Sequence, residues 1–193
     1  MPQDTRDTRT ELLQQALRLF AARGYDAVGV QEIVEAVGVT KPTLYHYFSS
    51  KRGLLDALLQ QHFDALYERT RLAADYHGDL PLTLQQVVAA YFAFAREHPT
   101  FYRLQLALWF APPQSDSFKA VSRWMEWQHT LMEALFIRAA EDHGNMKDRH
   151  QRYAATLIGT INTYISLFLN DYSNLDDTVL YQAVHQFMYG IFS

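Results

Sequence analysis

The stretch Gly38-Val39-Thr40-Lys41-Pro42-Thr43-Leu44-Tyr45-His46-Tyr47-Phe48 decides the fold. It reads as a short helix with a sharp start and its polar groups at the exposed beginning. Gly38 can take the left-handed backbone that ends a preceding helix. Thr40 is expected to cap the new helix, its hydroxyl accepting an otherwise unpaired backbone N–H. Pro42 falls in the first turn, where its missing N–H is not needed. Two short helices joined by such a turn make a helix-turn-helix, whose second helix is the part that enters a DNA major groove.

The neighbouring residues agree. From Val30 to Val37, Val30, Ile33, Val34 and Val37 share one helical face, while Gln31, Glu32 and Glu35 fall on the other. In the second helix Leu44 and Phe48 lie four apart and point inward together. Lys41, Thr43, Tyr45, His46 and Tyr47 are left to face outward or sideways. Hydroxyl and ammonium donors suit phosphates, and apolar edges suit thymine methyls.

Residues 10 to 60 resemble the DNA-binding domain of the TetR family of bacterial transcriptional regulators. The resemblance is carried by Ala16, Leu19-Phe20, Gly24-Tyr25, Val30, Ile33, Gly38-Val39-Thr40-Lys41, Thr43-Leu44-Tyr45, Tyr47-Phe48, Ser50-Lys51 and Leu54-Leu55. Two positions depart from the common pattern. Gly29 stands where a Ser or Thr usually caps the second helix, so that cap is expected to be weaker. Pro42 replaces a residue that is often Gly and stiffens the start of the third helix. The resemblance implies an all-α chain of about nine helices. A homeodomain-like three-helix head, residues 1–52, would bind DNA, and residues 53–193 would form a ligand-binding and dimerisation body. It implies a homodimeric repressor on a palindromic operator, released by a small hydrophobic effector. Thr40, Tyr45, Tyr47 and Lys51 are then expected to contact phosphates, and Lys41, Pro42, Thr43 and His46 the bases. Gln31, on the exposed face of the preceding helix, joins this set. Two alternatives stand beside this reading: a small-molecule-binding helical protein without DNA activity, and an activator lacking an inducer.

Bulk composition sets bounds. The chain has 193 residues, of which 49% are hydrophobic, enough for a sizeable core. It has no cysteine, which excludes disulfides, thiolate metal sites and cysteine nucleophiles. The first ten residues are polar, and no run of 18 apolar residues occurs, so a cytoplasmic protein without a membrane span is expected. The net charge is −4. Residues 1–52 hold seven basic side chains (Arg6, Arg9, Arg18, Arg23, Lys41, Lys51, Arg52) against six acidic ones (Asp4, Asp7, Glu11, Asp26, Glu32, Glu35). The acidic excess therefore lies beyond the DNA head, yet the head is barely basic. Phosphate contact must rest on a few placed groups and on dimerisation.

No segment alternates polar and apolar residues long enough to suggest a sheet, and a period of 3.6 dominates. Thr8 is expected to start the first helix with Glu11 as its capping-box partner, and Ser49 or Ser50 to cap the fourth. Later helices are expected over about Thr83–Glu97, Thr100–Phe110, from Ser115 or Ser117 to His143, from Asp148 to Tyr172, and from Asp176 or Asp177 onward. Of 27 aromatics, 22 lie after residue 52. Each by itself reads as core, but the resemblance favours a cavity between helices. Tyr91, Tyr102, Gln105, Trp109, Trp124, Gln128, His129, Tyr164 and Phe168 are the expected lining, with Arg96 and Arg103 as anchors for an anion. Tyr153, Leu157 and Ile161 form one apolar stripe, and Val184, Phe187 and Ile191 another. They suit burial within one chain or a four-helix dimer interface, and the resemblance favours the dimer. The eight histidines lack metal-ligand spacing, and no phosphate loop, nucleophile elbow or carboxylate-pair motif occurs. No metal, cofactor or catalytic residue is expected, and an enzyme is the weakest class.

Overall fold

A computed structural model describes residues 5–190, with side chains described from residue 8. Among the described residues there are nine α-helices and no strand. They are α1 Thr5–Arg23, α2 Val30–Val37, α3 Lys41–Phe48, α4 Lys51–Ala73, α5 Leu80–Glu97, α6 Pro99–Trp109, α7 Asp116–Asp142, α8 His150–Leu169 and α9 Asp177–Tyr189. Two compact units result. The first takes the chain up to Asp64 together with Thr100–Arg123, and the second takes Ala65–Pro99 and the chain from Trp124 onward.

In the first unit α1 packs on α2, and α2 on α3. Leu12, Ala16, Phe20, Ile33 and Leu44 are fully buried. α2 ends as its sequence requires. Gly38 has φ 76° and ψ 28°, and its N–H and that of Val39 close back on Glu35 and Val34. Gly29 has no side chain with which to cap α2. Half of a capping box remains, because the Glu32 carboxylate accepts the Gly29 N–H at 3.0 Å. An ion pair with Arg23 holds that carboxylate from its other side.

Three local expectations are corrected. α1 is already helical at Thr5, so Thr8 lies inside it and is not its cap. Thr40 is at the N-cap of α3, but its hydroxyl bonds the Thr43 hydroxyl at 2.9 Å and caps no backbone N–H. Two hydroxyls three residues apart satisfy each other in place of the backbone. α5 begins at Leu80, three residues before Thr83, because Asp79 accepts the Leu82 N–H at 2.9 Å and Pro81 fits the first turn. The fourth and ninth helices are capped by Ser50 and Asp176, whose side chains accept from Gly53 at 2.9 Å and Val179 at 3.0 Å.

The turn from α3 to α4 is tight. Ser49 takes φ 62°, and the Ser50 N–H bonds the Phe48 carbonyl at 2.7 Å. A Cβ placed on Gly53 would lie 2.0 Å from that same carbonyl oxygen, so no other residue fits without moving backbone.

In the second unit α5, α8 and α9 pack on one another around Val87, Val88, Phe92, Leu157, Ile161 and Ala183. Arg138 of α7 ties down the segment after α4 through Asp75 at 3.2 Å and the Ala74 carbonyl at 2.8 Å. Tyr76 donates to Asp142 at 2.8 Å.

Gly53→Ala should lower the unfolding free energy of the head by about 1–3 kcal/mol, since the clash is with backbone. Urea unfolding no different from the parent would mean that the turn yields freely. Gly29 has extended backbone, and a side chain there meets only Glu32 Oε1 at 3.6 Å. Gly29→Ser should therefore stabilise by roughly 0.3 kcal/mol in the same measurement.

Candidate nucleic-acid interface and effector core

Helix α3 shows one face and hides the other. Leu44 is fully buried and Phe48 is 6% exposed, and each such burial contributes about 1.5–3 kcal/mol. These two anchors leave Lys41, Pro42, Tyr45 and His46 exposed, with Thr43 and Tyr47 half-buried at the edge. Thr40 and Gln31 are exposed as well, and the Gln31 amide donates to Glu35. The expected DNA-contacting residues of α2 and α3 thus lie on accessible surface.

Lys51 differs from them. It is half-buried at the start of α4, and its ammonium lies 4.2 Å from the Tyr25 ring centroid and 5.9 Å from that of Phe20. A cation over a ring face is attracted by the ring quadrupole. Burial holds the ammonium below its ordinary pKa, and Asp26, Asp116 and Glu32 partly offset this. Burial, then the negative charge of Asp116, pushes the Tyr25 hydroxyl up to about 12. The sequence gives no sign of this pairing, because Tyr25 and Lys51 meet only in the folded head.

The nine expected effector-lining residues divide between the units. Tyr102, Gln105 and Trp109 lie on α6 in the first unit; Tyr91, Trp124, Gln128, His129, Tyr164 and Phe168 lie in the second. The structure joins Tyr91 to Gln128, with the buried tyrosine hydroxyl donating to Oε1 at 3.1 Å. Burial pushes that hydroxyl's pKa up. Tyr102 and Gln105 are buried, and the Gln105 side-chain oxygen has no hydrogen-bond partner among the described residues. Trp109, Trp124 and His129 are half-buried. The Tyr164 hydroxyl points to the exposed Gln186 at 3.1 Å. Phe168, half-buried, borders a surface hollow of about 310 Å³ with Asp171, Tyr172, Ser173 and Asn174. Arg96 donates to the Leu175 carbonyl, so it fastens the loop before α9.

The two apolar stripes also have definite places. Leu157, Ile161 and Val184 are buried within the single chain. The cause is amphipathicity: the most apolar stripe of α8 and α9 is spent on α5 and on each other. Tyr153 and Phe187 are half-buried and both pack on Phe136, at 5.5 and 6.0 Å between ring centroids. Ile191 lies outside the described residues.

Residues 12–58 match the model for bacterial regulatory proteins of the tetR family. The chain is 31% identical over 191 residues to the HTH-type transcriptional activator FasR of Mycolicibacterium smegmatis, covering 98% of this chain and 84% of that one. The chain belongs to the TetR family. Like its relatives, it is a transcriptional regulator with an N-terminal helix-turn-helix, not an enzyme. The HTH-type transcriptional repressor KstR2 of Rhodococcus jostii is 39% identical over 80 residues, which is 42% of this chain and 39% of that one. Among solved structures, the transcriptional regulator FadR from Bacillus subtilis, in complex with stearoyl-CoA, superposes with a TM-score of 0.78 at 18% identity, over 94% of this chain and 98% of that one. That likeness shows that the TetR fold extends over nearly the whole chain. Among the described residues, no helix is long and apolar enough to cross a membrane.

Burial of Tyr25, with the negative charge of Asp116 near it, gives this TetR head a pH signature. The Tyr25 pKa is raised on folding, from 10.0 to about 12, so its contribution to stability is complete below pH 10 and is lost as pH rises through about 12. Lys51 is shifted down and acts in the opposite sense. Comparison with Tyr25→Phe isolates the tyrosine: the stability of the parent relative to the variant should fall between pH 10 and 12. A difference independent of pH would place Tyr25 in a solvated site.

Proposed function

We propose that the chain acts as a homodimer whose two α3 helices read a palindromic operator. A small hydrophobic effector held among the body helices would change operator affinity. The observation that carries the DNA reading is the exposed face of α3, with Lys41, Pro42, Tyr45 and His46 presented over the buried Leu44 and Phe48. Lys41, Pro42, Thr43 and His46 are assigned to bases. Thr40, Tyr45, Tyr47 and Lys51 are assigned to phosphates, with Gln31 beside them. Two such heads would meet half-sites roughly 34–36 Å apart or a multiple of that. A regulator of this kind works in the cytoplasm.

The dimer face is assigned to the surface that α8 and α9 leave free. Ala155, Thr156, Gly159 and Thr163 make an exposed strip of small residues on α8, and Gln182 and Gln186 are exposed on α9. A Cβ on Gly159 would meet nothing within 4 Å, so another helix can approach closely there.

An effector of the acyl-CoA class is supported by the stearoyl-CoA complex of the FadR neighbour and by the aromatic core. The unpaired Gln105 oxygen supplies a polar handle. A buried acceptor left unsatisfied costs about 1–3 kcal/mol, so a ligand donor there would be favoured. In the repressor reading the effector releases the operator through a shift in population between head spacings. The match to the KstR2 repressor supports it along 42% of this chain. An activator is the second reading, favoured by the match to FasR along 98% of the chain.

A gel shift with the DNA upstream of the protein's own coding region, with and without stearoyl-CoA, tests the proposal. A retarded band that changes with the ligand is expected, and no retarded band at all would sink the DNA reading. Gly159→Arg should leave the fold of each chain intact, give monomers in sedimentation, and abolish tight palindrome binding. A variant that remains dimeric would move the interface elsewhere.

A further inference from the structure

The first unit contains more than the three-helix head. It also contains α6 and the first two turns of α7, and specific polar ties hold α7 there. The Ser117 hydroxyl donates to Asp26 Oδ2 at 3.0 Å, across 91 residues of sequence. Asp26 sits in the turn between α1 and α2. Ser117 is only 3% exposed, so its one donor is committed to a carboxylate of the head. Arg52, at the start of α4, donates Nη1 to the Asp116 carbonyl at 3.1 Å while its Nε bonds Asp56 at 3.0 Å. The start of α7 is fixed from behind as well. Ser115 accepts the Phe118 N–H at 3.1 Å, and Phe118 stacks on Trp109 at 5.3 Å. Near the start of α6, Phe101 stacks on His62 of α4 at 4.3 Å.

We propose that the Asp26–Ser117 and Arg52–Asp116 ties make the first turn of α7 a positioning element of the DNA-reading head. Asp26 and Arg52 flank the head on its two entry points, the α1–α2 turn and the start of α4. Hydrogen bonds to both fix a direction, where a single contact would act as a pivot. α7 runs for 27 residues in all, without Gly or Pro. The head is therefore tied to the start of α7 as well as to α4. Simple reinforcement of the head is the competing account, and it differs in what it predicts for one head and for two.

The proposal rests on the two-headed DNA reading, and the experiment separates the two. A palindrome is selected from a random duplex library by the full-length protein. Affinities are then measured for that palindrome and for a duplex of equal length carrying one half-site. Orientation matters only when two heads must engage together. Ser117→Ala should weaken palindrome binding by about fivefold relative to the half-site, the effect of one hydrogen bond. Asp26→Asn keeps an acceptor for Ser117, so its palindrome to half-site ratio should stay within about twofold of the parent. Equal losses on both duplexes would mean that the tie only stabilises the head, and no loss on either would remove its role; both outcomes overturn the proposal. Parent protein that selects no DNA sinks the regulator reading and the positioning role with it. Parent protein that binds while Ser117→Ala behaves identically sinks the positioning role alone.

Discussion

The Phe48 carbonyl and the bare α-carbon of Gly53 set the joint on which the DNA-binding head depends. They approach so closely that a Cβ would stand 2.0 Å from the oxygen. Ser49 makes the reversal possible with φ 62°, and Ser50 closes it from both sides through its N–H and its hydroxyl. The joint fixes two things at once. It seats Phe48, with Leu44, beneath α3, and so chooses which face of α3 is exposed. It also starts α4 where the Lys51 ammonium falls on the Tyr25 ring. A wider turn would lose both the buried anchor and the placed cation, although neither residue belongs to the turn.

The sequence made the regular parts of this legible and left the joint hidden. Helices α2 and α3 were visible because local signals agree there: apolar spacing, a glycine just past one helix and a proline just inside the next. Gly38 behaves as a purely local argument requires. Thr40 does not, since a second hydroxyl three residues away competes for it and wins. Gly53 carries no local signal, because its requirement comes from the close approach of another helix's carbonyl. The Tyr25–Lys51 and Asp26–Ser117 contacts were invisible for the same reason. Each joins residues far apart in sequence, and neither residue type is unusual where it stands.

The body teaches a related lesson about apolar stripes. Periodicity identifies which face of a helix is apolar and says nothing about what covers it. On α8 and α9 the strongest stripe, with Leu157, Ile161 and Val184, is consumed inside the chain. What remains outside is a weaker surface of Ala155, Thr156, Gly159 and Thr163, readable from sequence only as a deficit of large side chains. Small residues permit close backbone approach, and such a face gains from dispersion contacts more than from bulk apolar area. The proposed effector core shows the same ambiguity. An aromatic that packs and one that lines a cavity have the same pattern in sequence. The orphaned Gln105 oxygen is a three-dimensional fact that no sequence pattern shows.

Charge then decides what kind of DNA reader this head is suited to be. With seven basic residues against six acidic ones in residues 1–52, it has little general attraction for phosphate. Lys51 is further restrained by the carboxylates of Asp26, Asp116 and Glu32 around it. Nonspecific affinity grows with the number of phosphates neutralised, so a head with few free cations binds arbitrary duplex weakly. A sequence-reading head gains from this, since discrimination is the difference between specific and nonspecific binding. The cost is that a single head holds poorly. In the proposed dimer, useful affinity would come from two heads set at one spacing and one orientation. For such a protein, whatever holds the head at its angle matters as much as the residues that touch the bases.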